Sequence, residues 1–273
     1  MKTLSRIYTI LIFVLLYTPI AVMILFSFNA SESMGEMTGF SFHWYERLMQ
    51  DEETLSAFSN TIILAVVSAL IATVFGTLSA VGIFKLNKGW YRSSIMAATN
   101  IPMMNPEIVT GVSMMLLFVF AAKLMGAANG ALNFGTLLIA HITFNLPYVI
   151  LSVLPKLHQL DPHLEEAAQD LGCTRAQAFF HAVLPTILPG VLSGMLMAFT
   201  MSLDDFVISY FTSGSEFVTL PIRIYSMTKK RVTPDMYALS TIIFAVILLL
   251  LILTNLIQAE DAEKKPKKKK REG

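Results

Sequence analysis

The sequence predicts an all-α membrane protein with six transmembrane helices, on three observations. The 273 residues are 55% hydrophobic and 14% charged, against roughly a quarter charged in soluble domains. Six stretches stay apolar for the about 20 residues that a helix needs to cross a hydrocarbon layer about 30 Å thick. Lys and Arg also gather in alternate connections, as the cytoplasmic loops of multi-pass proteins require. This composition excludes a disordered chain and argues against a soluble domain. The one cysteine, Cys173, excludes an internal disulfide framework and a Cys-based zinc cage.

The first span covers 7–28; it is too long for a removable signal peptide, has no small-residue cleavage site, and should stay as an anchor. The others cover 61–84, 95–120, 134–154, 187–211 and 237–257. Lys2 and Arg6 precede the first span, Lys85, Lys88 and Arg92 separate the second from the third, and a Lys-rich tail follows the sixth. Those regions, both termini included, are expected on the cytoplasmic side. Seven of the 20 Lys and Arg residues fall within 264–271, so the formal charge of +1 hides 13 basic against 15 acidic residues, a net −2, over 1–259. The sequence therefore divides into a membrane domain, 1–259, and a tail, 260–273, which the charge suits to a solvated anchor on anionic lipid. Loop 29–60, with six acidic residues and one Arg, and the loop holding Lys123 are expected outside. Arg223, Lys229, Lys230 and Arg231 break the pattern, since six spans place them outside too. No GxxxxGK[ST] phosphate loop occurs, so this chain does not hydrolyse ATP by that route.

The connection 155–186 has the punctuation of two short helices meeting at an elbow. Asp161 suits a cap and Pro162 a first helical position. Leu164, Ala167, Ala168 and Leu171 follow at i, i+3, i+4 and i+7 as one apolar stripe. Gly172 suits a left-handed helix end. Thr174 and Gln177 form a capping-box pattern for a second helix, expected to stop before Pro185.

Glu166-Ala167-Ala168, with Gly172 four residues beyond and then Leu184-Pro185, resembles the EAA signature of the membrane subunits of bacterial ATP-binding-cassette importers. One departure is Ala182, where that family usually has Ile or Val. The resemblance covers nearly the whole chain and is strongest to spermidine/putrescine permeases, through Phe42 to Tyr45, Asn105 to Gly111, Leu164 to Gly172 and Ser202 to Phe206. It implies the type I importer permease fold in a bacterial inner membrane, and an elbow whose Glu166, Ala167 and Gly172 couple to ATPase motion. It implies a second permease subunit, two copies of an ATP-binding subunit and an extracytoplasmic binding protein as partners, with no nucleic acid. No cofactor is expected on this chain; ATP and Mg would sit on the ATPase. The chain itself would have no catalytic residue and would move its solute by alternating access.

Four residues are candidates for the solute path. Asp204 and Asp205 lie in the fifth span, where translocon scales charge about 2.5–3.5 kcal/mol for an Asp. Asp204 falls about 24 Å along that helix, toward the outside. As neighbours on a helix the two side chains point about 100° apart, so at least one is expected on a wet path and the other can bond to a neighbouring helix. Glu107 directly follows Pro102 and Pro106, which interrupt the third span, and broken helices often hold transported groups. Trp44, with Tyr45, could offer cation–π contacts of about 0.5–2 kcal/mol or belong to an interfacial aromatic belt.

Other features favour ordinary roles. His158, His163 and His181 match no metal-ligand spacing and suit a solvated or ATPase-facing surface. His141 is expected to pack or bond within the membrane. The methionines, Met103, Met104, Met114 and Met115 among them, suit gap-filling between helices. Lys229, Lys230 and Arg231 are candidates for docking a binding protein. Other solutes remain open: another organic cation, ferric iron, thiamine or an amino-acid-like molecule. A channel, or an intramembrane enzyme using Asp204 and Asp205, is disfavoured, the enzyme because adjacent residues lack the facing geometry of acid/base work.

Overall fold

A computed structural model describes residues 2–31, 36–86, 89–126, 130–230 and 234–263. Among these the chain is almost entirely helical: α1 (Lys2–Ser27), α2 (His43–Gln50), α3 (Glu52–Lys85), α4 (Trp90–Met104), α5 (Glu107–Leu124), α6 (Phe134–Leu157), α7 (Leu164–Asp170), α8 (Arg175–Ala178), a π-helical turn (Phe179–Val183), α9 (Leu184–Asp204), α10 (Val207–Thr212), α11 (Leu220–Lys230) and α12 (Pro234–Glu263). A β-bridge joins Asn29 to Phe40.

Five helices among the described residues are long and apolar enough to span a bilayer. The expected count of six is therefore not exact: α12 is helical over 30 residues, but its described apolar part, Pro234–Leu249, is shorter than a full span. Three boundaries also differ. The second span begins at Glu52, nine residues before Thr61, because Asp51 accepts the Glu53 N–H at 3.2 Å and so starts the helix early. The third is two helices, since Asn105 is extended ahead of Pro106, whose ring and missing N–H end the ladder. The fifth is continuous with the elbow from Arg175, passes Pro185 by way of the π turn, and then stops at Asp204. The expectation of one unbroken helix over 187–211, with a stop before Pro185, is corrected on both counts.

The chain divides into two compact units. The first, Met1–Ser59 with Leu220–Leu249, packs Leu48, Ala57, Leu220 and Leu239 at its centre, ringed by Ile224, Met227, Ile242 and Ile243. Its α2–α3 corner is tied to α11 by Arg223, which donates to Asp51 at 3.2 Å and to Glu53. Partial burial pushes the Asp51 carboxyl up, but hydrogen bonds from Thr54 and Arg223 outweigh that and hold it below its ordinary range.

The second unit, Asn60–Thr219 with Leu250–Gly273, is built around α6. Asn133 and Thr136 start that helix with a reciprocal capping box. Its buried residues, from Leu137 and His141 through Asn145, Val149 and Val153 to Leu157, recur every three or four positions as one inward face. Small residues let the neighbours approach: a Cβ at Gly76 of α3 would lie 2.7 Å from Val149, and one at Gly194 of α9 would lie 3.2 Å from the Val149 backbone. Close approach of this kind is what packs helices where water supplies no hydrophobic drive.

Candidate functional site

Two places in the second unit carry polar chemistry on broken helices. The first is where the α4–α5 and α9–α10 breaks meet. α5 and α10 pack through Gly111, where a Cβ would lie 3.0 Å from Phe211 Cδ2 and 3.4 Å from the Val207 carbonyl. Glu107 opens α5 and Asp204 closes α9; both are exposed, and they lie within electrostatic reach of each other. Tyr148 of α6 is also within reach of Glu107. Phe206 and Tyr210 lie on the same segment with ring centroids 5.4 Å apart and planes tilted by 39°, and Tyr210 is 48% exposed. Two carboxylates and aromatic faces open to the surroundings suit an organic cation, since a carboxylate facing lipid is costly unless water or a partner meets it.

Asp205 behaves differently from its neighbour. It is 8% exposed, and its oxygens accept the N–H groups of Ile208 at 3.2 Å and Ser209 at 2.8 Å. His141 Nε2 approaches the same carboxylate at 3.4 Å. Its carboxylate is thus occupied in starting α10 and has no open face. The helix ends only at the ψ of residue 205, 120°, its φ being −64°, so the two side chains point apart as neighbours on a helix do, one outward and one inward. Trp44 is corrected likewise: it lies in the first unit, 2% exposed, its Nε1 donating to the Asn29 carbonyl at 2.6 Å. Its ring offers no open surface to a solute. Tyr45 bonds Ser27 at 2.7 Å and joins Phe28 and Phe42 in an aromatic cluster. The residues that sequence reasoning missed are Phe206, Tyr210 and Tyr148; a signal existed only in the aromatic letters just beyond Asp204.

The second place is the elbow. Gly172 takes the left-handed conformation, φ +90°, and the Thr174–Gln177 capping box forms as expected. The first helix starts later than the sequence suggested: Asp161 accepts the His163 N–H at 2.9 Å, and α7 begins at Leu164, leaving Pro162 outside it. The apolar stripe is divided: Leu164 and Ala168 are half-buried, whereas Ala167 is exposed and Leu171 is 87% exposed. Glu166 is exposed and bonded to His163 at 3.0 Å. That hydrogen bond, with the charges of Glu166 and Asp161, raises His163 above the usual imidazole range. The other histidines are separately engaged, His158 with Arg92 at 3.0 Å and His181 with the Gln177 carbonyl at 2.9 Å. Ala182 lies inside the π turn. Lys85, at the end of α3, pairs with Glu165 at 2.9 Å and ties α7 to the membrane helices, a contact no sequence motif announced.

Lys229 stands 4.6 Å over the Tyr225 ring, while Arg231, like Lys88 and 264–273 of the tail, lies outside the described residues. Among the methionines, Met114 packs against Ala140, Phe144 and Ile208, whereas Met104 is exposed.

Residues 72–260 match the family described as the inner membrane component of binding-protein-dependent transport systems. The chain is 37% identical over 247 residues to the spermidine/putrescine transport system permease protein PotC of Escherichia coli (strain K12), covering 90% of each. It is 35% identical over 237 residues to the putrescine transport system permease protein PotI of the same organism, covering 86% of this chain and 83% of that one. In fold it is similar to a chain of a bacterial ABC transporter that imports the acidic polysaccharide alginate, with TM-score 0.69, 18% identity and coverage of 97% and 96%. It is also similar to a chain of the MetNI methionine ABC transporter, with TM-score 0.58, 19% identity and coverage of 80% and 96%. Apolar helices, a left-handed glycine elbow and the family match over most of the sequence agree, and the chain belongs to the inner-membrane permease components of binding-protein-dependent ABC importers.

Proposed function

We propose that this permease moves a polyamine, spermidine or putrescine, inward by alternating access. The observation that carries this reading is the exposed pair Glu107 and Asp204 at two helix breaks that pack together through Gly111. A polyamine is a flexible chain of ammonium groups separated by methylenes. Carboxylates take its charges, and the ring faces of Phe206 and Tyr210 lie along the same segment to take others, at about 0.5–2 kcal/mol each. The names of the PotC and PotI relatives support the solute class.

In this reading a second permease subunit completes the path. Two copies of an ATP-binding subunit, holding ATP and Mg, dock beneath the elbow at Glu166, Ala167 and Gly172. An extracytoplasmic binding protein delivers the solute; the alginate transporter solved with its ligand-bound periplasmic protein supports such a partner. Both termini and the elbow face the cytoplasm of a bacterial cell.

The test is uptake of labelled spermidine by proteoliposomes containing the complete assembly. Glu107→Gln and Asp204→Asn are each expected to lower uptake at least about tenfold, the equivalent of about 1.4 kcal/mol, with the assembly intact by gel filtration. Excess putrescine should compete, and thiamine should not. Normal uptake in both variants would remove the charge-based path.

A further inference from the structure

One buried polar group of the second unit is used by neither the exposed carboxylates nor the elbow. His141 lies on α6, 1% exposed. Its Nδ1 stands 2.7 Å from Ser202 Oγ of α9, and its Nε2 3.0 Å from Ser209 Oγ of α10 and 3.4 Å from Asp205 Oδ2. Ser68 of α3 donates to Ser202 Oγ at 3.0 Å. With a proton on Nε2 the network runs in one direction: Ser68 O–H to Ser202, Ser202 O–H to Nδ1, and Nε2–H to Ser209 and Asp205. Four helices and one break are thereby joined through a single ring.

The break is the part that matters for solute. The chain leaves the helix at the ψ of Asp205, 120°, while its φ of −64° is still helical, so the side chains of residues 204 and 205 point about 100° apart as helix neighbours do. Asp205 points inward onto His141, Ile208 and Ser209, and Asp204 is exposed. Hydrogen bonds in a water-poor interior are stronger than at a surface, so a filled network there specifies one arrangement.

We propose that His141 is a positioning residue of the solute path: by gripping Asp205 and Ser209 from α6, it fixes the α9–α10 break and so the direction in which Asp204 presents its carboxylate. This rests on the reading of Asp204 as a solute-binding group.

The experiment uses the full assembly in proteoliposomes with spermidine, and reads spermidine delivered per ATP hydrolysed. His141→Leu is expected to lower that ratio about tenfold, because a misplaced binding group lets the cycle turn without its cargo. His141→Gln, whose amide N–H reaches toward the position of Nε2, should recover most of it. Adding His141→Leu to Asp204→Asn should cost nothing further, since the one acts through the other. A wild-type ratio in His141→Leu, or a fully additive double variant, overturns the proposal. Should His141→Leu not assemble, Ser202→Ala takes its place, and an unchanged ratio there overturns it equally. If Asp204→Asn alone leaves uptake intact, it is the polyamine path that fails; if Asp204→Asn is impaired and the His141 variants are normal, only the positioning role fails.

Discussion

Asn145 and His141 stand one turn apart on α6, both buried, and they are treated oppositely. His141 has a partner for each ring nitrogen, whereas neither side-chain atom of Asn145 is bonded by any described group. An unpartnered buried amide costs about 1–3 kcal/mol. Asn145→Leu, which keeps the γ-branched shape without the polar atoms, is therefore expected to raise the thermal midpoint of the detergent-solubilised protein; a lower midpoint would count against this account. At the elbow, the bond to Glu166 raises the His163 pKa, so its contribution is fully present below the ordinary imidazole value and is lost as pH rises through the raised one. A titration of His163 followed by NMR should return to the ordinary range in Glu166→Gln. The Asp204–Asp205 pair shows where reading letters stops. Two identical neighbours have opposite fates, one exposed and one gripped, because on a helix they point about 100° apart and only one direction meets His141 and the start of α10.

At the scale of elements, Pro106 ended its helix as its chemistry dictates, while Pro185 did not, because the π turn before it carries the chain past the missing donor. Gly172 is a purely conformational requirement: a Cβ there would meet nothing within 4 Å, yet φ is +90°. Gly172→Ala is expected to cost about 1–2 kcal/mol of elbow stability and to weaken ATPase association on co-purification. Gly172→Asn, which tolerates that conformation, should lose less. Equal losses in the two would point to sterics instead. The Arg223 clamp on the α2–α3 corner is partly exposed, so Arg223→Gln should lower stability by about 1 kcal/mol or less. Because the folded Asp51 pKa is depressed, that difference is present above the ordinary carboxylate value and disappears as pH falls through the depressed one. Thermal unfolding of both proteins at neutral and acid pH checks it; a gap that widens in acid would refute it.

Across the whole molecule, the apolar windows of α1 and α5 are 0% and 11% buried within this chain, a surface that needs lipid or another subunit. Orientation can be read directly. In a Cys173→Ser background, a cysteine at Glu166 is expected to react with an impermeant thiol reagent only after the membrane is opened, and one at Glu46 from outside intact cells. Labelling at Glu166 from outside would end the importer mechanism, because an ATPase could not reach the elbow.

The sequence by itself determined the helical membrane class, the elbow with its left-handed glycine and its capping box, and the acidic residues worth testing. These follow from composition, period and the conformational limits of single residues, all of which are local. Only the tertiary structure decided that Asp204 is open while Asp205 is held, that Trp44 is a packed core residue, and that Glu107 comes within electrostatic reach of Asp204. Those outcomes depend on which helices touch, and a hydrogen bond from His141 to a residue 64 positions away leaves no periodic mark on the chain.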